Sequence, residues 1–173
     1  MPGREREQGS LETLALLPIP RSAVLVGKIL PYFVIGCILF VALLIVCTLL
    51  LGLPWHASSV ALIATVALFV LANLALGCVF SLLAKNQMQA MQLAVFFYLP
   101  SMLLSGFMFP FHGMPTWAQA LGEILPLTHF LRIVRGVLLK GLADVEVWAL
   151  AWPIVLFALL AGGTAILLFR RRL

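Results

Sequence analysis

The most constraining feature of this chain is a long stretch that carries no formal charge. No Asp, Glu, Lys or Arg occurs from Ile29 to Ala84. A helix that crosses a bilayer needs about 20 apolar residues, so this stretch has room for two. Gly and Pro in residues 52–56 provide the break between them. We therefore predict two membrane spans, at about 29–53 and 58–83.

Two further apolar stretches predict a third span at 91–109 and a fourth at 147–169. Across the 173 residues, 64% are hydrophobic and 10% charged, whereas soluble domains are nearer half apolar and a quarter charged. A chain this short cannot bury so much apolar surface in a water-facing globule. The expected fold class is an all-α integral membrane protein with four transmembrane helices, in which residues 29–173 form the transmembrane domain.

The net charge of +5 comes from basic residues at the ends of the predicted spans. No basic face with interleaved aromatic residues occurs, so we expect no nucleic-acid partner. Eight of the eleven Lys and Arg residues fall on the side that holds both termini, and three fall on the other. The excess of positive charge predicts that both termini are cytoplasmic.

The segment 110–146 lies on the predicted outer side and is too polar to be a span. Pro115 suits the start of a short helix that runs to Leu125 and ends before Pro126. Thr128 is a candidate N-cap for a second, amphipathic helix that ends at Lys140-Gly141. We expect its apolar face to hold Leu127, Phe130, Leu131, Val134, Val137 and Leu138, and its polar face to hold Thr128, Arg132 and Arg135. A hairpin that dips into the membrane is allowed only if protein or a water-filled cavity surrounds its backbone.

Residues 1–28 predict a cytoplasmic segment with a short helix. Ser10 is a plausible N-cap, and Glu12 lies in the first turn, where a negative charge favours the helix dipole. Pro18 and Pro20 would stop this helix. The segment could lie on the membrane surface or dock into a cytoplasmic partner, and the residues alone leave both interpretations open.

The sequence predicts no catalytic, metal or cofactor site. The cysteines lie in apolar stretches, and the three histidines lack the spacing of metal ligands. Gly27-Lys28 does not continue into a phosphate-binding loop, so we expect no ATP hydrolysis by this chain. The spacing of Asn73, Gly77 and Ser81 predicts one helix face for close packing, or else a stripe that lines a path.

Two ordered stretches carry a resemblance to one family: REREQGSLE at residues 4–12 and LPSMLLSGFMFP at residues 99–110. Together they resemble the permease subunit of type-2 ABC exporters, in the bacterial multidrug-efflux-like branch. Permeases of this family are similar but about twice as long, with six spans, and this sequence matches the last four. The resemblance implies either a fragment of a permease or a natural half-permease that needs a second chain.

The resemblance also implies partners and site residues. A homodimer or a second permease chain would sit in the bacterial inner (cytoplasmic) membrane, on a cytoplasmic ABC ATPase subunit that binds the ATP. A path through these apolar spans, which hold no fixed charge, favours a hydrophobic or amphipathic cargo. The segment that couples to the ATPase would hold Glu5, Arg6, Glu7, Gly9, Ser10 and Glu12. The outer re-entrant helices would form an exit gate with Pro100, Ser105, Gly106, Pro110, Pro115 and Pro126.

The expected function is therefore a permease subunit that forms the substrate path of an ATP-driven exporter and is not itself an enzyme. A non-transporting membrane scaffold or inactive half-permease is the first alternative. An intramembrane enzyme is the second. Co-purification of an ATPase argues against the enzyme, and ATP-dependent transport after reconstitution argues against the scaffold.

Overall fold

The computed structural model describes residues 21–52 and 59–172. This part of the chain is helical and holds no strand. A single 3-10 turn, Phe111–Gly113, precedes the fourth helix, and a π-helical turn, Gly136–Lys140, follows the fifth. The α-helices are α1 (Arg21–Leu51), α2 (Ser59–Leu83), α3 (Gln87–Leu104), α4 (Thr116–Ile124), α5 (Pro126–Arg135) and α6 (Asp144–Arg172).

Three helices of the described part are long and apolar enough to cross a membrane: Ile29–Leu50, Val60–Leu83 and Asp144–Phe169. The all-helical membrane class is thus confirmed, but the count of four spans is not. The predicted third span, 91–109, falls on α3, which ends at Leu104. The predicted ATPase-coupling residues 5–12 lie outside the described residues.

The centre of the fold is the seam between α2 and α6. Small side chains are buried on both helices, which lets the two backbones approach closely. Larger side chains from both helices pack beside them in one buried cluster, including Leu62, Val66, Val147 and Ile154. The buried alanines are Ala61, Ala72 and Ala75 on α2 and Ala151, Ala161 and Ala165 on α6.

Helix α1 packs on α2 with little of its surface. Only 6% of its span window is buried. The contact is close at Gly36, where an added Cβ would lie 2.9 Å from Cγ1 of Val70. Leu44 is the buried side chain that α1 contributes to the core. Most of α1 therefore presents an apolar surface to its surroundings.

The predicted packing face of α2 is only partly occupied. Asn73 donates a 2.8 Å hydrogen bond from Nδ2 to the carbonyl oxygen of Phe69 on its own helix. An added Cβ at Gly77 would meet no atom of the described chain within 4 Å. The hydroxyl of Ser81 is buried without a hydrogen-bond partner in the described part. A role of this face in packing or in a path stays a prediction.

A short corner joins α2 to α3. Asn86 is the N-cap of α3, and its side chain accepts a 2.8 Å hydrogen bond from the backbone N–H of Gln89. The side chain of Gln89 in turn accepts a 2.8 Å bond from the backbone N–H of Lys85. This reciprocal arrangement satisfies donors that the start of a helix otherwise leaves unpaired.

Candidate functional site

Helices α4 and α5 form a hairpin, residues 116–135, that packs against the middle of α2 and against α1. The ring of Phe130 stacks on that of Phe69, with centroids 4.2 Å apart and planes at 6°. Phe130 also meets the edge of Phe40 on α1 at 6.0 Å. Phe69 lies nine residues after the start of the Val60–Leu83 span, or about 14 Å along a helix that rises 1.5 Å per residue. Phe130 therefore packs at roughly the middle of an apolar layer about 30 Å thick.

The hairpin is buried against the seam on one side. Ile133 is inaccessible to solvent, and Phe130 and Val137 are nearly so. All three belong to the same buried cluster as Val147 and Ile154 of α6. A connection of three residues, 141–143, joins the π-helical turn to α6, so the two packed segments run antiparallel.

The chain turns from α3 toward the hairpin at Gly106. Its φ of 82° lies in the region that favours glycine, and an added Cβ would lie 3.3 Å from Cβ of Phe111. The carbonyl oxygen of Gly106 accepts a 3.0 Å hydrogen bond from Nη2 of Arg135. Ser105, just before it, is 4% exposed and donates from its hydroxyl to the carbonyl of Met102. Arg135 thus ties the end of α5 to the end of α3.

Helix α4 docks directly on the end of α3 through Gly122. An added Cβ there would lie 2.6 Å from the carbonyl oxygen of Leu104 and 2.9 Å from the ring of Phe111. No side chain fits in that space without a shift of backbone. Close contact of two helix backbones is the reason for glycine at this position.

Two side chains of α5 form hydrogen bonds with the carbonyls at the end of α4. Thr128 donates a 2.6 Å hydrogen bond from Oγ1 to the carbonyl oxygen of Gly122. Nε2 of His129 lies 2.8 Å from the carbonyl oxygen of Glu123. Because a carbonyl oxygen only accepts, this nitrogen carries the hydrogen and donates. Thr128 is 1% exposed and His129 is 9% exposed, so both bonds are shielded from water.

An ion pair bridges the same turn. Arg132 donates from Nη1 to Oε2 of Glu123 at 2.9 Å and from Nη2 to Oε1, which makes a bidentate pair. The guanidinium carbon of Arg132 lies 4.8 Å from the ring centroid of Phe111, a cation–π distance. The side chains of Arg132 and Glu123 keep 38% and 44% of their surface exposed. The pair therefore closes the turn while it presents charge to its surroundings.

The pKa of Glu123, which lies outside the three spans, is lowered from its ordinary value. The hydrogen bonds from Arg132 are the main cause, and the positive charges of Arg132 and His129 act in the same direction. Partial burial opposes them without reversing the shift. The carboxylate is consequently ionised at neutral pH and keeps its bond to Arg132.

The structure corrects two local predictions on α5. Thr128 does not cap this helix, because the helix already begins at Pro126, whose missing N–H suits the first position. Thr128 also does not lie on a solvated face. The buried face holds Thr128 and His129 beside Phe130 and Ile133, because the carbonyls of α4 recruit both polar side chains. The predicted end at Gly141 is confirmed, with a left-handed φ of 65°.

Most of the predicted gate residues surround the hairpin. Ser105 and Gly106 end α3, Pro110 precedes the 3-10 turn, Pro115 is the N-cap of α4 and Pro126 starts α5. Pro100 lies apart from them, inside α3 and exposed. The residues that bond the hairpin together are Glu123, Thr128, His129, Arg132 and Arg135, none of which was predicted as a gate residue. Glu123 and Arg132 lie nine residues apart, a spacing that no single helix brings together.

Comparison with known proteins gives consistent matches. The family model described as ABC-2 type transporter matches residues 1–139. A probable multidrug ABC transporter permease, YbhR of Escherichia coli K12, is 30% identical over 169 residues, which cover 98% of this chain and 46% of that protein. YbhS of the same strain, with the same description, is 33% identical over 139 residues, or 80% of this chain and 37% of that protein.

A third relative is the inner membrane transport permease YhhJ of E. coli K12, which is 30% identical over 176 residues. This match covers 97% of the present chain and 45% of YhhJ. The chain thus spans less than half the length of these curated relatives. No solved structure matches the chain significantly.

Proposed function

Because this chain belongs to the ABC-2 type transporter family, we propose that it forms the membrane-spanning part of a permease subunit in an ATP-driven exporter. The family match is the main support for this proposal. The α4–α5 hairpin is the segment that could open and close the transport path. In this proposal a separate ATPase subunit binds and hydrolyses the ATP. The cargo is hydrophobic or amphipathic, in keeping with the apolar surfaces of the spans.

We include α3 as a fourth crossing in this proposal. Its 18 residues extend about 27 Å, close to the thickness of an apolar layer. Three residues separate it from the end of α2, and it ends beside Gly122 of the hairpin. The hairpin packs against α2 through Phe69, well away from the corner at residues 84–86, so the two ends of α3 lie at different levels along α2. This arrangement supports a crossing from one side of the membrane to the other.

The hairpin is the proposed exit gate. It enters the apolar layer from one side only, and the carbonyls at its turn are bonded by its own side chains. A helix that is interrupted inside a membrane is stable only when the polar groups of its backbone have hydrogen-bond partners. We propose that the chain lies in a bacterial inner membrane, with this side facing out of the cell. Both termini then lie in the cytoplasm, as the distribution of Lys and Arg predicts.

Coupling to the ATPase is assigned to residues 5–12, which precede α1 in the sequence. In this mechanism closure of the ATPase dimer moves these segments, and the spans tilt so that the path opens alternately to the two sides. Such coupling requires that the ATPase bind the two arrangements with different affinity. A second permease chain, or a second copy of this one, would complete the path.

Reconstitution with the co-purified ATPase tests the proposal. Inverted vesicles should accumulate a hydrophobic dye when ATP is supplied, and an ATPase variant that binds but does not hydrolyse ATP is the control. Transport that is absent with an active ATPase would favour the membrane-scaffold alternative.

A charge reversal tests the assigned coupling segment. The double variant Glu7→Lys with Glu12→Lys should weaken co-purification of the ATPase, and unchanged co-purification would contradict the assignment.

A further inference from the structure

The two exposed faces of α4 differ in chemistry. One face carries Trp117, Leu121 and Ile124, which are 65%, 49% and 71% exposed and apolar. The other carries Thr116, Ala120 and Glu123, which are also exposed but small or polar. At 100° per residue these faces lie about a third of a turn apart, and Ala118 and Gly122 on the third face are buried.

The second face carries charge at a depth where lipid is unfavourable. Arg132 follows Phe130 by two residues, or about 3 Å along α5, and its bonds to Glu123 hold both charges close to the depth of the Phe130–Phe69 contact. Their charges compensate each other, yet each side chain keeps more than a third of its surface open. Charged groups at this depth face a protein interior or water rather than acyl chains.

The ion pair leaves some of the bonding capacity of Glu123 unused. Each carboxylate oxygen of Glu123 accepts one hydrogen bond from Arg132, whereas a carboxylate offers about four acceptor positions. The guanidinium of Arg132 uses both terminal nitrogens on Glu123 and lies over Phe111. Because the side chain of Glu123 is 44% exposed, these open acceptor positions are available to a polar solvent or ligand.

We propose that the face of α4 formed by Thr116, Ala120 and Glu123, together with Arg132, lines a water-filled section of the substrate route. This section receives the polar headgroup of an amphipathic substrate, while the apolar face with Trp117, Leu121 and Ile124 meets lipid. The proposal rests on the proposed transport function for its substrate. Its aqueous part does not depend on transport and is tested separately.

Cysteine accessibility tests the aqueous part in the full chain in native membranes. Cys37, Cys47 and Cys78 are first replaced by Ala, and Ala120→Cys or Leu121→Cys is then introduced. These neighbours are both exposed within the chain, so only their surroundings distinguish them. A charged, membrane-impermeant methanethiosulfonate reacts with the thiolate, which forms in water and not in lipid.

We expect the thiol at position 120 to react at least tenfold faster than the thiol at position 121. Denaturation in detergent should make both variants react, which shows that both thiols are present. Equal rates, a faster reaction at position 121, or an unreactive position 120 would each overturn the proposal. The last result, with a disulfide between two copies of Ala120→Cys, would assign this face to a protein contact.

Protection by a substrate tests the headgroup part. Rhodamine 6G, an amphipathic dye with a charged head, should slow the labelling of Ala120→Cys several-fold and leave the denatured control unchanged. Labelling that is fast and unaffected by the dye would overturn the headgroup part alone. Failure of ATP-dependent transport with position 120 still accessible would instead count against the proposed function.

Discussion

The α2–α6 seam and the α4–α5 hairpin satisfy their backbones in different ways. The seam joins two unbroken helices through alanine and branched apolar side chains, and its buried Thr65 donates only to Ala61 on its own helix. The hairpin is broken at its turn, where Thr128, His129 and Arg132 all bond across from α5 to α4. A continuous helix pairs its own carbonyls, whereas at this break side chains add bonds to the last carbonyls of α4.

The difference predicts which substitutions each region tolerates. In the seam, shape and volume decide stability, so polar groups contribute little. In the hairpin, a few specific hydrogen bonds and one close backbone contact decide it. Four substitutions, each with a matched control, examine this contrast.

The largest effect is expected at Phe130, where the hairpin meets both α1 and α2. Phe130→Ala should lower the free energy of unfolding by about 2 kcal/mol or more, since a large ring leaves a cavity beside Phe69 and Phe40. Thermal unfolding in mild detergent measures the change. Phe96→Ala, at a ring that is 80% exposed, is the control and should shift the midpoint little. Equal shifts would mean that the hairpin is not anchored through Phe130.

The next effect concerns two glycines that differ in their neighbours. Gly122→Ala should destabilise by about 1–3 kcal/mol, because the new Cβ meets the backbone oxygen of Leu104 at 2.6 Å. Gly77→Ala should be neutral or stabilising by up to about 1 kcal/mol, because its Cβ meets nothing in the described chain and Ala favours a helix. Melting curves of the two variants give the comparison. A stabilising Gly122→Ala would show that α4 does not dock closely on α3.

Substitution of two buried threonines, Thr128 and Thr65, measures how much the hydrogen bond across the turn contributes to stability. Thr128→Val should cost about 1 kcal/mol, because it removes the hydroxyl that bonds the Gly122 carbonyl. Thr65→Val should cost less, because its hydroxyl bonds a carbonyl of its own helix, whereas the Thr128 bond joins α5 to α4. Thermal midpoints of both variants would be compared with that of the native chain. Equal losses would remove the contrast between hairpin and seam.

The smallest effect is expected at the Glu123–Arg132 pair, which is partly exposed and so contributes at most about 1 kcal/mol. Because the pKa of Glu123 is lowered in the folded state, this stabilisation is present above the ordinary pKa of 4.5. It is lost as the pH falls through the lowered pKa. The difference in melting temperature between the native chain and Glu123→Gln should therefore disappear in acid. The charge swap Glu123→Arg with Arg132→Glu should restore part of it at neutral pH, and a swap that restores nothing would contradict a direct pairing.

The large features of the fold were predictable because they depend on composition over many residues. Absence of charge from Ile29 to Ala84 is sufficient to predict two spanning helices with a break between them. The break before Pro126 was equally predictable, because proline fixes its own φ and restricts the residue before it. The structure places α4 at Thr116–Ile124, within one residue of the predicted helix at each end.

The chemistry of the turn was not predictable, because it depends on contacts between two helices. Periodicity placed Thr128 on a polar face, whereas the carbonyl of Gly122 draws it into the interior. The glycine at position 122 gives no local sign that Leu104 lies against it. His129 likewise has no metal-ligand pattern, and only the position of the Glu123 carbonyl explains its burial.

The corner at Lys85 and Asn86 has a mechanical consequence. Only three residues separate α2 from α3, and the side chains of Asn86 and Gln89 bond the backbone there in both directions. Such a short, hydrogen-bonded connection limits independent movement of the two helices, so we expect a tilt of α2 to move α3 with it. Since Gly122 lies against the far end of α3, that movement would reach the hairpin through this contact.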